Sequence, residues 1–103
     1  MSDHLIEIFL PLASGSGEPI PDSISSVLKE ELVDRFRGVT SYSRVPAEGL
    51  WANGDKVEAD SVIVWEVMTD DLDKDWWKSF RARIEKLLRQ EELLVRATKV
   101  DRL

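Results

Sequence analysis

Cysteine is absent from this chain of 103 residues. Its absence excludes disulfides, a thiolate nucleophile and zinc sites built on thiolates. Histidine is nearly absent, since His4 is the only one. A serine–histidine–acid triad would have to use this residue near the chain end, where simple exposure to solvent is the better interpretation. We expect no bound cofactor and no metal.

Positive charge and long apolar runs are also scarce. The chain has 14 Lys and Arg against 20 Asp and Glu, so its formal net charge is −6. An acidic surface repels phosphate backbones and anionic lipid, so neither nucleic acid nor a membrane is the expected partner. No segment approaches the ~20 apolar residues of a spanning helix, and Met1 to Glu7 lacks a signal-peptide pattern. These features favour a cytoplasmic protein.

What the chain does contain is typical of one folded domain over residues 1–103. Hydrophobic residues make up 43% and charged residues 33%, which suits a single core. The hydrophobic periodicity changes from the strand to the helix repeat twice, giving the order β-α-β-β-α-β. We predict a ferredoxin-like α+β sandwich, with a four-stranded antiparallel sheet, two helices on one face and a long β2-β3 hairpin.

The boundaries of these elements follow from turn and cap residues. We predict a first strand over His4 to Leu10, followed by a helix that is capped by Asp22 or Ser23 and stopped by Gly38. A hairpin then covers Val39 to Thr69, turns at Asn53-Gly54 and is interrupted at Pro46 and Gly49. A second helix from Asp70–Asp73 to Gln90 and a last strand over Leu93 to Asp101 complete the fold. The first helix should bury Ile24, Val27, Leu28, Leu32 and Phe36, and the second Trp76, Trp77, Phe80, Ile84, Leu87 and Leu88.

The third predicted strand, Asp60 to Thr69, is apolar on both faces. One face of this strand carries Val62, Val64, Glu66 and Met68, and the other face carries the residues between them. Such a strand needs cover on both sides, and a chain of this length supplies enough helix for one. A second copy is the expected cover, which predicts a homodimer. The interface would contain Leu5, Phe9, Val62, Val64 and Met68.

Two carboxylates lie on the central strands and are the candidates for chemistry. Glu7 and Glu66 share the face away from the helices if Ile6 and Trp65 face the helices. Burial there would raise their pKa values, allowing proton transfer or binding of a cationic group; ion pairing inside a dimer interface is the simpler alternative. The ligand-binding candidates are Tyr42, Arg44, Trp51 and Glu66, and Arg96 could also reach the face of the two glutamates. Trp51 stands beside the Asn53-Gly54 turn, so either the hairpin folds back over the sheet or this indole anchors a neighbouring subunit or a ligand.

Two charged segments have simpler interpretations. The acidic run Asp70–Asp75 lacks the glycine and glutamate of a calcium loop, because counting from Asp71 those positions hold Trp76 and Ala82. A helix cap explains it better. The outer side of the second helix is expected to carry Lys74, Lys78, Arg81 and Arg89, with Glu85 among them. Such a face could dock an acidic partner, but a solvated surface is the simpler interpretation.

Short motifs in the middle of the chain suggest a family. Gly38-Val39-Thr40, Gly49-Leu50-Trp51, Gly54 and the strand Glu58 to Val64 together resemble a family of small uncharacterised bacterial proteins over about residues 36–66. That resemblance implies no particular reaction. The topology also resembles the dimeric α/β-barrel superfamily, which includes monooxygenases, haem-handling enzymes and non-enzymatic ligand sensors. The second half of this chain lacks a histidine to ligate haem.

Two functions fit these patterns. The first is a non-enzymatic module that binds a small molecule or assembles through its sheet. The alternative is a cofactor-independent dimeric α/β-barrel enzyme, similar to a monooxygenase or an isomerase, that uses Glu66 or Glu7 as acid or base and Tyr42 or Arg44 to stabilise charge.

Overall fold

The computed structural model describes residues 3–12, 17–54 and 56–103, with only the backbone described at 43–49, 51–53 and 56–61. Strands β1, β2 and β3 and helices α1 and α2 precede a short last strand, β4. Their bounds are β1 Asp3–Pro11, α1 Asp22–Phe36, β2 Thr40–Asn53, β3 Lys56–Thr69, α2 Lys74–Leu88 and β4 Val95–Val100. The sheet has the order β2-β3-β1-β4 and every pairing is antiparallel. The predicted α+β ferredoxin-like fold is confirmed.

One face of the sheet carries the core. In β1 the apolar residues at even positions are buried, and in β3 Val67 and Trp65, which lie opposite Ile6 and Ile8, are buried as well. Both helices pack against this face, α1 through Leu28 and Leu32. From α2 the core receives Trp77, Phe80, Ile84 and Leu88. Neither α1 nor α2, the two helices of the described residues, therefore lies over the opposite face of the sheet.

Helix α1 differs from the predicted pattern at both ends and on its buried face, where the predicted core residue Val27 is 62% exposed. Pro21 occupies the N-cap position and no side-chain hydrogen bond caps the helix, so neither Asp22 nor Ser23 acts as the cap. The left-handed residue that ends the helix is Arg37, with φ of 71°, and not Gly38. Its amide donates to the Val33 carbonyl at 2.8 Å, which closes the last turn.

Helix α2 follows its prediction more closely. The Asp73 side chain accepts a hydrogen bond of 3.1 Å from the Trp76 amide, so the acidic run does supply the helix cap. The indole of Trp76 also stacks on Phe80, with ring centroids 5.0 Å apart. Leu87, which was predicted to be buried, is 51% exposed and lies at the edge of the apolar stripe.

The β2-β3 hairpin turns at Gly54, where φ is 65°. Its register is interrupted once: Tyr42 lies opposite Val64, whereas Ala47 lies opposite Val62. Four residues of β2 therefore oppose a single residue of β3, and Pro46, which has no amide hydrogen to donate, lies within this bulge. The predicted interruption at Pro46 is present, while Gly49 pairs regularly with Asp60.

Candidate functional site

The candidate site is the face of the sheet that the helices leave uncovered, which we call the open face. Because side chains alternate along a strand, this face is formed by every second residue of each strand. It includes Leu5, Glu7 and Phe9 of β1, Thr40 and Tyr42 of β2, Val62, Val64, Glu66 and Met68 of β3, and Arg96 and Thr98 of β4.

A polar row crosses the middle of the open face. Thr40 lies opposite Glu66, Glu66 opposite Glu7, and Glu7 opposite Arg96, one residue from each strand. Two carboxylates directly opposite each other on neighbouring strands repel, which destabilises the pairing unless each carboxylate has another partner. Each glutamate does have one, on the side away from the other glutamate.

Glu7 is held by Arg96. Its Oε1 accepts a hydrogen bond of 2.9 Å from the Arg96 Nε, and the two side chains are 21% and 55% exposed. The guanidinium also lies 4.9 Å from the centre of the Phe9 ring. Arg96 therefore compensates a carboxylate and covers an aromatic ring at the same time.

Glu66 is paired with Tyr42. The pKa of the Tyr42 hydroxyl is raised, first because it donates a hydrogen bond to the Glu66 carboxylate and second because the negative charge of Glu66 disfavours tyrosinate. Tyr42 is 53% exposed, which is a large aromatic surface for a strand residue. At neutral pH it therefore presents a neutral phenol beside a carboxylate.

Apolar side chains surround the polar row. Leu5, Phe9, Val64 and Met68 are all partly exposed in the single chain. Val62 differs from these four, because it is only 6% exposed and has little surface left for a partner. The open face thus combines an apolar border with a central set of charged and hydroxyl groups.

A second polar group lies at the end of this face and was missed by sequence reasoning. Asp3 is 6% exposed, and its Oδ2 forms an ion pair with the Arg102 Nε at 3.1 Å. A hydrogen bond between the Asp3 and Asp70 carboxyl groups, added to the charge of Asp3, raises the pKa of Asp70, and Arg102 opposes that rise. The sequence carried no signal for this group, because its members come from both chain ends and the β3-α2 connection.

Two of the predicted ligand-binding residues lie outside the described side chains. Arg44 and Trp51 fall in the parts of β2 for which only the backbone is described. The structure therefore brings together Glu7, Glu66 and Tyr42 from the predicted set, and adds Arg96 as the partner of Glu7.

The chain matches no protein-family model and no curated protein. The family resemblance drawn from its central motifs therefore stays a prediction. No helix in the described part of the chain is both long and apolar enough to cross a membrane.

Proposed function

We propose that the protein is a non-enzymatic assembly module of the cytoplasm, which pairs with a second copy through the open face and holds a small molecule between the two sheets. The observation that carries the proposal is the one-sided placement of the helices. Both pack on the core face, while the open face presents partly exposed apolar side chains on the two central strands. A contiguous apolar patch with a polar centre is typical of an interaction surface.

Two features of the open face favour a second copy as its cover. The Glu7 carboxylate is compensated within the chain by Arg96, so packing would not bury that charge unpaired. The surface also has apolar residues distributed on both sides of the polar row, which suits a two-fold interface in which the same patch meets itself. The resemblance in topology to the dimeric α/β-barrel proteins supports the same arrangement by analogy.

The polar row supports the binding of a small molecule. Known ligand sites place a few converging polar groups in apolar surroundings. Here Glu66, Tyr42 and the Glu7–Arg96 pair converge between Phe9 and Val64 on one side and Leu5 and Met68 on the other. A ligand with a hydroxyl or amine group would find both hydrogen-bond donors and acceptors in this row.

The alternative function, acid–base catalysis without a cofactor, has one specific observation in its favour. Glu66 accepts the hydrogen bond of a phenol that remains protonated, an arrangement in which Glu66 is the base and Tyr42 a neutral donor. Glu66→Gln separates the two functions once a reaction is observed. Loss of turnover with unchanged ligand binding would support catalysis, whereas full retention of turnover would exclude Glu66 as the base.

The self-association is tested by placing a charge on the open face. We expect Val64→Asp to abolish the dimer or to give insoluble protein, because an unpaired carboxylate would enter a dry interface. Val27→Asp is the matched control: it is the same substitution, on the 62% exposed Val27 of α1, far from the sheet face. Sedimentation velocity over a range of protein concentrations measures the result.

The possible outcomes are distinct. A dimer in the unmodified protein and in Val27→Asp, with monomers in Val64→Asp, supports the proposed interface. An unchanged dimer in Val64→Asp would show that another surface mediates pairing. A wild-type monomer at all concentrations would refute self-association itself. Native mass spectrometry of protein purified without added ligand then detects any stoichiometric extra mass.

A further inference from the structure

A groove between α2 and β4, on the opposite side of the sheet from the open face, has a charge unlike that of the whole chain. Lys74, Lys78 and Arg81 of α2 and Lys99 of β4 line it, and no acidic residue of the described chain does. The formal net charge of the protein is −6. Positive charge is therefore concentrated locally on an acidic molecule, where it creates a favourable potential for anions.

The groove follows from the helix and strand repeats. Lys74, Lys78 and Arg81 are spaced i, i+4 and i+7, so they form one row along α2. That row borders the core stripe of the helix on the side of β4, and its three side chains are exposed, as the sequence predicts. Because β4 is an edge strand, its residues Ala97 and Lys99 remain exposed beside the row.

The floor of the groove is apolar. Ile6, Trp77, Val95 and Ala97 line it below the cationic side chains, and Leu72 lies at its border. Its volume is about 430 Å³, within the ~300–1,000 Å³ that is usual for sites of small ligands. An apolar floor with cations at the rim suits a ligand that is apolar at one end and anionic at the other.

Most of these cations form no ion pair within the part of the chain that the structure describes. Among the described residues, Lys74, Lys78 and Lys99 form no ion pair. Arg81 has only a long contact, 3.9 Å from its Nε to the Glu85 carboxylate, which also accepts a hydrogen bond from the Leu93 amide. Arg96 borders the groove too, but its guanidinium is engaged by Glu7 on the open face.

We propose that this groove binds a small amphipathic anion, with its apolar body on the floor and a carboxylate or phosphate head group between Lys78, Arg81 and Lys99. The site is separate from the open face, so it does not depend on the proposed dimer. Ammonium and guanidinium groups both form charge-assisted hydrogen bonds with such a head group, and Arg81 can do so with two parallel bonds.

The test is a titration of the isotopically labelled full chain, followed by amide chemical shifts. Decanoate and decyl phosphate serve as amphipathic anions, below the concentrations at which they form micelles. Decanol supplies the apolar body without charge, and inorganic phosphate supplies charge without the body. We expect saturable shifts over residues 74–81 and 95–99 with the two anions only. The tighter of the two identifies the preferred head group.

A pair of variants on the same helix links binding to the groove. Lys78→Ala should weaken binding of the anions about fivefold, as expected for the loss of one partly exposed charge-assisted contact. Lys86→Ala is the matched control, because Lys86 is an exposed lysine of α2 that does not line the groove. Both variants change the net charge equally, so general electrostatic attraction affects them alike.

Several results would overturn the proposal. Equal affinities of Lys78→Ala and Lys86→Ala would show that only net charge matters. If decanol bound as tightly as decanoate, the anionic head group would not be needed for binding. If inorganic phosphate bound as tightly as decyl phosphate, the apolar floor would not be needed. Shifts confined to Leu5, Phe9 and Val64 would assign the ligand to the open face, which would refute the groove and support the site proposed there.

Discussion

The ion pair between Glu7 and Arg96 gives the sharpest prediction about the open face. Three variants form a double-mutant cycle: Glu7→Gln, Arg96→Met and both together. Gln keeps the length of the glutamate without its charge, and Met keeps the apolar stem of the arginine. The cycle isolates the interaction free energy of the two side chains from what each contributes alone.

The magnitude follows from distance and exposure. A 2.9 Å contact with good hydrogen-bond geometry would be strong if buried, but the Arg96 side chain is 55% exposed, so solvent screens the pair. We expect a coupling of about 0.5–1 kcal/mol, the upper part of the range for exposed pairs. Arg96→Met also loses the contact with Phe9, about another 0.5–1 kcal/mol. Its total cost is then about 1–2 kcal/mol.

The two single variants should differ in a characteristic way. Glu7→Gln loses the attraction to Arg96 but also removes the repulsion between Glu7 and Glu66, which lie directly opposite each other. Its net cost in the free energy of unfolding should therefore be smaller than that of Arg96→Met. A cost of Glu7→Gln equal to the full coupling between Glu7 and Arg96 would mean that the two carboxylates do not repel measurably.

Urea unfolding at pH 7 measures all four proteins, compared at a common denaturant slope. The pair Arg81 and Glu85 supplies the control cycle, since its exposures of 45% and 19% are similar but its contact is 3.9 Å. We expect a weaker coupling there, about 0.3–0.5 kcal/mol. A coupling of zero for Glu7 and Arg96 would refute their pairing in solution. A coupling near 1.5 kcal/mol or above, with stability that depends on protein concentration, would indicate that a partner excludes water from the pair.

Two further predictions use titration. Because Tyr42 is the only tyrosine, the ultraviolet absorbance of tyrosinate reports its titration alone. The pKa of Tyr42 should lie above its ordinary value of about 10 and should fall toward that value in Glu66→Gln. An unchanged titration midpoint in Glu66→Gln would refute the contact between Tyr42 and Glu66. Asp70 has a raised native pKa, so its ionisation costs stability as pH rises from about 4 through that pKa. Asp70→Asn should accordingly raise the melting temperature at pH 7 and leave it unchanged below about pH 4. A lower melting temperature of Asp70→Asn at pH 7 would show that the attraction of Asp70 to Arg102 outweighs its repulsion from Asp3.

Periodicity was sufficient to predict the fold because the elements differ clearly in their repeats. Where it failed, the reason is geometric. Leu28 and Leu32 are the buried centre of α1, and Val27 lies roughly 100–140° away from them around the helix axis, so it is 62% exposed. Counting Val27 as core treated any nearby apolar residue as part of the face. A helix that rests on a sheet buries a narrower stripe than that.

The site required information that no single segment contains. Alternation placed Glu7 and Glu66 on one face, but only the register shows that they lie directly opposite each other, and a slip of one residue would have separated them. The buried Asp3 depends on Arg102 at the other end of the chain. Contacts of this kind are set by the closure of the whole sheet, which local patterns do not encode.

The open face and the groove differ in the kind of group that they leave without a partner among the described residues. On the open face Glu7 is matched by Arg96 and the described apolar residues of the central strands stay partly exposed, which favours a flat partner such as a second sheet. In the groove the apolar floor lies between α2 and β4, and it is the lysines that form no ion pair among the described residues. A ligand in the groove would contact Ile6 on the helix side of β1, while a partner on the open face would contact Leu5 and Glu7 on its other side. Strand β1 therefore separates the two sites by the thickness of one strand. If both proposals hold, occupancy of the groove and pairing of the sheets would act on opposite sides of the same strand, and the decanoate titration repeated on Val64→Asp would measure whether one affects the other.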